Sequence, residues 1–151
     1  MIVNDIINQS VKTARGNTPI KDIASMMCLN EISGVPVIDD DNTLIGIISE
    51  KDILKAMFPD VTELMEAGKK TDFESIEADY RDVMHKTASD LMTQIVAYVT
   101  PDMPLLKAVS MMCVYKIRRI PVTDDYKKLL GIISIGDVHK AIFRENLLKA
   151  G

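Results

Sequence analysis

Two short stretches bring together residue types that could do chemistry: Gly46-Ile-Ile-Ser49-Glu-Lys-Asp52 and Gly131-Ile-Ile-Ser134-Ile-Gly-Asp137. In each, an apolar run ends at a hydroxyl, and a carboxylate follows three residues later. The spacing suits a helix N-cap with an acid in the first turn, an arrangement worth about 1 kcal/mol that needs no ligand. It equally suits a ligand. Exposed backbone N–H groups and a serine oxygen are complementary to phosphate, and a carboxylate can accept both hydrogens of a ribose diol. Capping patterns are common, so a single copy would favour the capping reading.

There are two copies because the chain is duplicated. At an offset of 85, residues 5–58 lie on residues 90–143 without a gap, and 22 of the 54 aligned positions are identical. The identities include Pro19/Pro104, Met27/Met112, Cys28/Cys113, Pro36/Pro121, Gly46/Gly131, Ser49/Ser134 and Asp52/Asp137. Two copies of one unit are expected to pack as pseudo-symmetric halves. The division expected is repeat one at 1–58, a helical insert at 59–89, and repeat two with a short tail at 90–151.

The elements that must position the two motifs follow from periodicity. Thr18-Pro19 reads as an N-cap and first-turn proline. Ile20, Ile23, Ala24, Met27 and Cys28 then recur at helical spacing, as do Leu105, Ala108, Val109, Met112 and Cys113. Strands are expected at 35–39 and 44–48, and again at 120–124 and 129–133, each pair separated by an Asp-rich turn. Second helices close the units at 50–58 and 135–143. With a short strand near Val11 or Val96, each unit reads β-α-β-β-α, an α+β fold with the halves packed through their sheets. In the insert, 61–67 reads as a short helix before a Gly68-Lys-Lys turn. Thr71 to Glu74 forms a capping-box pattern, and Phe73, Ile76, Tyr80, Val83 and Met84 keep helical spacing. That apolar stripe must cover part of the molecule or meet a partner.

Bulk properties exclude several classes. The chain has 151 residues, 47% of them hydrophobic, and a net charge of −4. The whole excess lies in 59–89, with eight acids and four bases, so neither repeat offers a basic field for nucleic acid. No apolar run approaches a membrane span, and the N-terminus lacks a signal-peptide pattern; with only two cysteines a disulfide framework is not expected, and a reducing cytoplasm is the expected location. The two cysteines stand at equivalent positions on the predicted buried helical faces, where inert core thiols are expected. His85 and His139 are not repeat equivalents, and neither has a partner at metal-ligand spacing; both read as surface residues without a metal. Met26 and Met111 lie off the apolar stripe, fitting core packing or a helix-mediated dimer face. No nucleophile–base pair or glycine-rich phosphate loop stands out, so an enzyme is not expected.

The β-α-β-β-α unit, the Gly-Val-Pro-Val-Ile-Asp and Arg-Ile-Pro-Val-Thr-Asp strands and the two Gly-h-h-Ser-x-x-Asp endings (h, apolar) resemble the CBS domain, named for cystathionine β-synthase. A tandem pair is similar to a Bateman module. The resemblance implies a stand-alone regulatory module with two clefts that bind AMP, ADP or ATP, or in some members S-adenosylmethionine. It implies that Asp52 and Asp137 hold ribose hydroxyls and that Ser49 and Ser134 lie near the first phosphate. Backbone at Val35, Pro36 and Val37, and at Ile120, Pro121 and Val122, would edge the adenine, helped by Thr13 and Thr100. It further implies a homodimer assembled through helices and an unidentified target protein. The rival reading is a structural dimerisation module whose clefts bind nothing.

The repeats differ at one point that bears on charge. Arg118 and Arg119 replace Ser33 and Gly34 directly before the strands expected at 120–124 and 35–39. The bland reading is a solvated basic rim beside Lys116. If each phosphate is met by the other repeat, the Ser49/Asp52 cleft gains this pair, and the Ser134/Asp137 cleft meets only a hydroxyl and a glycine.

Overall fold

The computed structural model describes residues 1–57, 73–94 and 97–150. The expected 61–67 helix, the Gly68 turn, the Thr71 cap, Phe58 and the strand near Val96 fall outside these residues.

Within them the order is α1 (Ile20–Asn30), β1 (Gly34–Ile38), β2 (Leu44–Ser49), α2 (Glu50–Lys55), α3 (Phe73–Val83), α4 (Ala88–Leu91), α5 (Leu105–Tyr115), β3 (Arg119–Thr123), β4 (Leu129–Ser134) and α6 (Ile135–Ala150). A single 3-10 turn, Val3–Asp5, precedes them. This is a mixed α+β fold with two small sheets, β1 beside β2 and β3 beside β4. The β3–β4 ladder is antiparallel and pairs Arg119 with Ser134, Ile120 with Ile133 and Val122 with Gly131. All five residues of β1 are buried, whereas β2 and β4 alternate.

The proline at the start of each first helix plays a different part from the one its sequence suggests. Pro19 and Pro104 occupy the N-cap in extended backbone, with the helices starting one residue later. The Thr18 hydroxyl accepts the Arg15 N–H at 2.9 Å and closes the preceding turn instead of capping α1. Both helices end on a left-handed residue, Glu31 (φ 53°) and Lys116 (φ 55°). The turns between paired strands reach positive φ at Asn42 (63°) and Lys127 (66°), again at equivalent positions.

The spatial units cut across the sequence repeats. One comprises Met1–Val11, Asp40–Leu44 and Ile95–Gly151, and the other Lys12–Asp39 and Ile45–Gln94. Residues 1–8 therefore belong with the second repeat, and 86–94 with the first. Asn8 bridges Ile132, and Ile2 bridges Pro104. Thr93 bridges Ile47, and Thr87 bridges Pro19, so each contact is repeated at the 85-residue offset. The N-terminal segment of each repeat is thus exchanged for its counterpart.

Each unit has its own core. One is built on Val3, Val99, Leu105, Met112, Ile120 and Ile133. The other gathers Ile20, Ile23, Met27, Val35, Ile48 and Val83. Tyr80 and Met84 pack against the second core, so the end of the insert's stripe covers repeat one.

Three expectations are corrected. Cys28 and Cys113 are exposed, not buried. The inward face of α1 runs through Ile20, Ile23 and Met27 and is flanked by Met26, which turns Cys28 outward. The strand expected near Val11 shrinks to one parallel bridge, Ala14 with Val37, and among the described residues Val99 bridges Val122 in the same way. Finally, α6 continues well past 143, to Ala150.

The entry to each exchanged segment is capped alike. Asp5 accepts the Ile2 N–H at 2.8 Å, and Asp90 accepts the Thr87 N–H at 3.0 Å. That backbone bond, then the Thr87 hydroxyl, hold the Asp90 carboxyl below its ordinary value despite its full exposure.

Candidate functional site

The Ser49 motif sits where β2 runs directly into α2, so strand geometry aims the serine and helix geometry aims the acid. Ser49 is extended (φ −117°, ψ 164°), which frees its side chain to cap the helix. The Asp52 N–H donates to Ser49 Oγ at 3.3 Å. In return Asp52 Oδ2 accepts the Ser49 N–H at 2.9 Å and the Ser49 hydroxyl at 3.0 Å. Asp52 Oδ1 accepts the Thr93 hydroxyl at 3.1 Å. The capping function is therefore real here, and Thr93 reaches it from the exchanged segment.

The second motif is less closed. The Asp137 N–H donates to Ser134 Oγ at 3.1 Å. Among the described residues nothing donates to the Asp137 carboxylate, which is exposed. The position equivalent to Thr93 is Asn8, whose side-chain oxygen accepts the Ser10 N–H at 3.1 Å instead.

Each unit collects its own set of candidate residues. Ala14 donates to the Pro36 carbonyl at 3.0 Å and accepts the Ile38 N–H at 2.9 Å, which holds Thr13 beside buried Val35, Pro36 and Val37. In the same way Val99 donates to the Pro121 carbonyl and accepts the Thr123 N–H, placing Thr100 beside Ile120, Pro121 and Val122. The Thr100 hydroxyl donates to Asp102 at 2.7 Å. Strand start and motif meet directly in both units: Glu50 N–H donates to the Ser33 carbonyl at 3.0 Å, and Ile135 N–H to the Arg118 carbonyl at 2.7 Å. With Arg119 paired to Ser134 in the ladder, the arginine pair stands at the start of the Ser134/Asp137 helix.

The motif glycines serve packing. A Cβ on Gly131 would stand 2.5 Å from the Asn8 carbonyl oxygen, and one on Gly46 would stand 2.5 Å from Met92 Sδ and 3.2 Å from the Thr93 carbonyl. Each lets an exchanged segment lie close against a strand. Thr93 and Asn8 were not legible as site residues, since the sequence marks them only as a place where the repeats differ. No group of His, Cys, Asp and Glu among the described residues could hold a metal ion. His85 and His139 are exposed.

The CBS domain family profile matches residues 3–59 and 88–144. The chain belongs to the CBS-domain family and carries a tandem pair. It is 32% identical to the uncharacterised protein MJ1426 of Methanocaldococcus jannaschii, over 94% of this chain and 91% of that one. It is 28% identical to the chloroplastic CBS domain-containing protein CBSX2 of Arabidopsis thaliana, spanning 59% of that protein's length. Among solved structures, CBSX2 in complex with AMP superposes with a TM-score of 0.74 at 27% identity, covering 96% of this chain and 98% of that one. The CBS domain pair of protein MJ0100, in complex with 5′-methylthioadenosine and S-adenosylmethionine, gives 0.72 at 26% identity, covering 96% and 98%. No described helix is long and apolar enough to cross a membrane.

Proposed function

We propose that this CBS pair is a regulatory, non-enzymatic sensor that binds adenosine compounds and passes the bound state to a partner protein. The observation that carries the reading is the Ser134 site. A carboxylate to which none of the described residues donates, a serine, and the backbone of two arginines at its own strand start stand at one helix entry, beside a backbone edge at Ile120–Val122 and Thr100.

In this reading Asp137 holds the ribose, and Ser134, Arg118 and Arg119 receive the phosphate. The basic pair then serves the Ser134/Asp137 site, beside which Arg119 is paired in the ladder, in place of the Ser49/Asp52 cleft that a cross-repeat phosphate contact would give it. Ser49, Asp52, Thr13, Val35, Pro36 and Val37 form the corresponding set in the other unit. AMP, ADP or ATP are the ligands a cationic end favours. The S-adenosylmethionine and methylthioadenosine bound by the MJ0100 domain pair support a second reading, in which one site takes an uncharged or cationic adenosine derivative. The proposed assembly is a homodimer.

Calorimetry with AMP, ATP and S-adenosylmethionine tests the function. Asp137→Ala is expected to weaken AMP binding by roughly tenfold or more, the value of a hydrogen bond to a charged group, while the fold is kept. Unchanged affinity in this variant would remove the ribose assignment.

A further inference from the structure

The two carboxylates differ in how many hydrogens they can still accept, and part of the difference, the part on Oδ1, comes from a residue outside both motifs. An ionised carboxylate offers about four lone-pair sites. At Asp52 three are filled: Ser49 N–H and Ser49 O–H on Oδ2, and the Thr93 hydroxyl on Oδ1. One remains, on Oδ1. At Asp137 none is filled by the described residues. Two of the three bonds at Asp52 are made by Ser49 inside its own motif and have no counterpart at Ser134, although the motifs share their serine and aspartate. The third is made by Thr93, which the exchanged segment brings to Ile47, whereas the equivalent Asn8 stands at Ile132 with its side-chain oxygen turned to Ser10.

We infer that Thr93 is a specificity-determining residue: by occupying Oδ1 it limits Asp52 to one hydroxyl of a ribose-type cis-diol, whereas Asp137 accepts both. The inference rests on the ribose roles proposed above. It makes the sites unequal at the sugar end, independently of the charge difference made by Arg118 and Arg119. The first site discriminates poorly between ribose and deoxyribose, which still offers its 3′-hydroxyl. The second requires the full diol.

The test compares AMP with 2′-deoxy-AMP by calorimetry on the full-length chain, with Asp137→Ala or Asp52→Ala isolating one site at a time. In the Asp137→Ala background the two ligands are expected to bind within about twofold of each other. Adding Thr93→Val, which keeps the shape and deletes the donor, should raise the preference for AMP by on the order of tenfold, the value of one charge-assisted hydrogen bond. Thr93→Ser should restore the original ratio. In the Asp52→Ala background AMP should already be preferred about tenfold, and Asn8→Thr should reduce that preference. A ratio that Thr93→Val leaves unchanged or lowers, in a chain where Asp52→Ala still costs AMP affinity, overturns the inference and leaves the ribose reading standing. Failure of the otherwise unaltered chain to bind AMP overturns both.

Discussion

An alanine methyl at position 131 has nowhere to go. Its nearest neighbour would be the Asn8 carbonyl at 2.5 Å, with Ile7 Cγ1 at 2.7 Å, and a backbone oxygen cannot rotate aside. At position 46 the clash is with the end of the Met92 side chain, which can move, although the Thr93 carbonyl at 3.2 Å stays tight. Gly131→Ala should therefore cost roughly 1–3 kcal/mol, as overpacking does, and Gly46→Ala clearly less. Thermal unfolding of the two variants checks the order; equal losses would mean that the Asn8 segment yields as easily as a methionine. The same pair of residues shows where sequence reasoning on single residues stopped. Ser-x-x-Asp announced both a cap and a ligand site, and the structure shows the cap in full at Ser49 and in half at Ser134. What the spacing could not convey was which carboxylate the rest of the chain had already occupied, because Thr93 lies 41 residues from Asp52 in sequence.

At the scale of elements, periodicity recovered most of the architecture: both first helices, all four strands and the Tyr80, Val83 and Met84 end of the insert's stripe lie close to their expected places. The failures have local causes. A stripe of five apolar residues at helical spacing did not say which edge of the stripe faced out, and Cys28 and Cys113 fell on that edge. The strand expected near Val11 does not extend, since among the described residues of that segment Ala14 alone meets the parallel neighbour. Helix ends were equally illegible, for α1 and α5 stop without glycine. Glu31 and Lys116 instead adopt the left-handed conformation that glycine takes freely. Glu31→Gly and Lys116→Gly should each stabilise the chain by roughly 0.5 kcal/mol, since relief of strain of order 1 kcal/mol outweighs the entropy glycine adds to the unfolded chain. Denaturant midpoints measure this, and a loss of stability in both variants would show that the strain is already relieved by the caps' own hydrogen bonds.

At the scale of the whole molecule, the duplication predicted two halves but not their exchange of segments. Offset and identity describe order along the chain, and a segment that packs against the other copy leaves the same pattern as one that packs at home. A fragment of residues 1–58 lacks the 86–94 segment that completes its unit, including buried Ala88. It should be unfolded by circular dichroism, and a cooperative melt from it would show that the segment is dispensable. The surface makes its own prediction. Phe143 and Leu147, one helical turn apart on α6, are both 59% exposed, while Leu106 and Val114 on α5 are 68% and 73% exposed. Apolar groups of this size left open on two helices of one unit fit the proposed homodimer. Light scattering at tens of micromolar should give twice the chain mass, and Phe143→Glu with Leu147→Glu should return it to one. A monomeric unaltered chain would exclude this face.

The reciprocal contacts, Asn8 with Ile132 and Thr93 with Ile47, also say something about the tandem arrangement itself. Each repeat offers a docking groove for a segment that its own copy sends elsewhere. A chain holding one such repeat would have this groove and this segment but no means of joining them to each other. Two such chains trading N-terminal arms would satisfy both, as a domain-swapped dimer. Joining two such chains end to end turns a concentration-dependent association into an intramolecular one with a fixed effective molarity. The tandem pair is in that sense a dimer written into a single polypeptide. In a single polypeptide the two arms need not be identical, and positions 8 and 93 are asparagine and threonine.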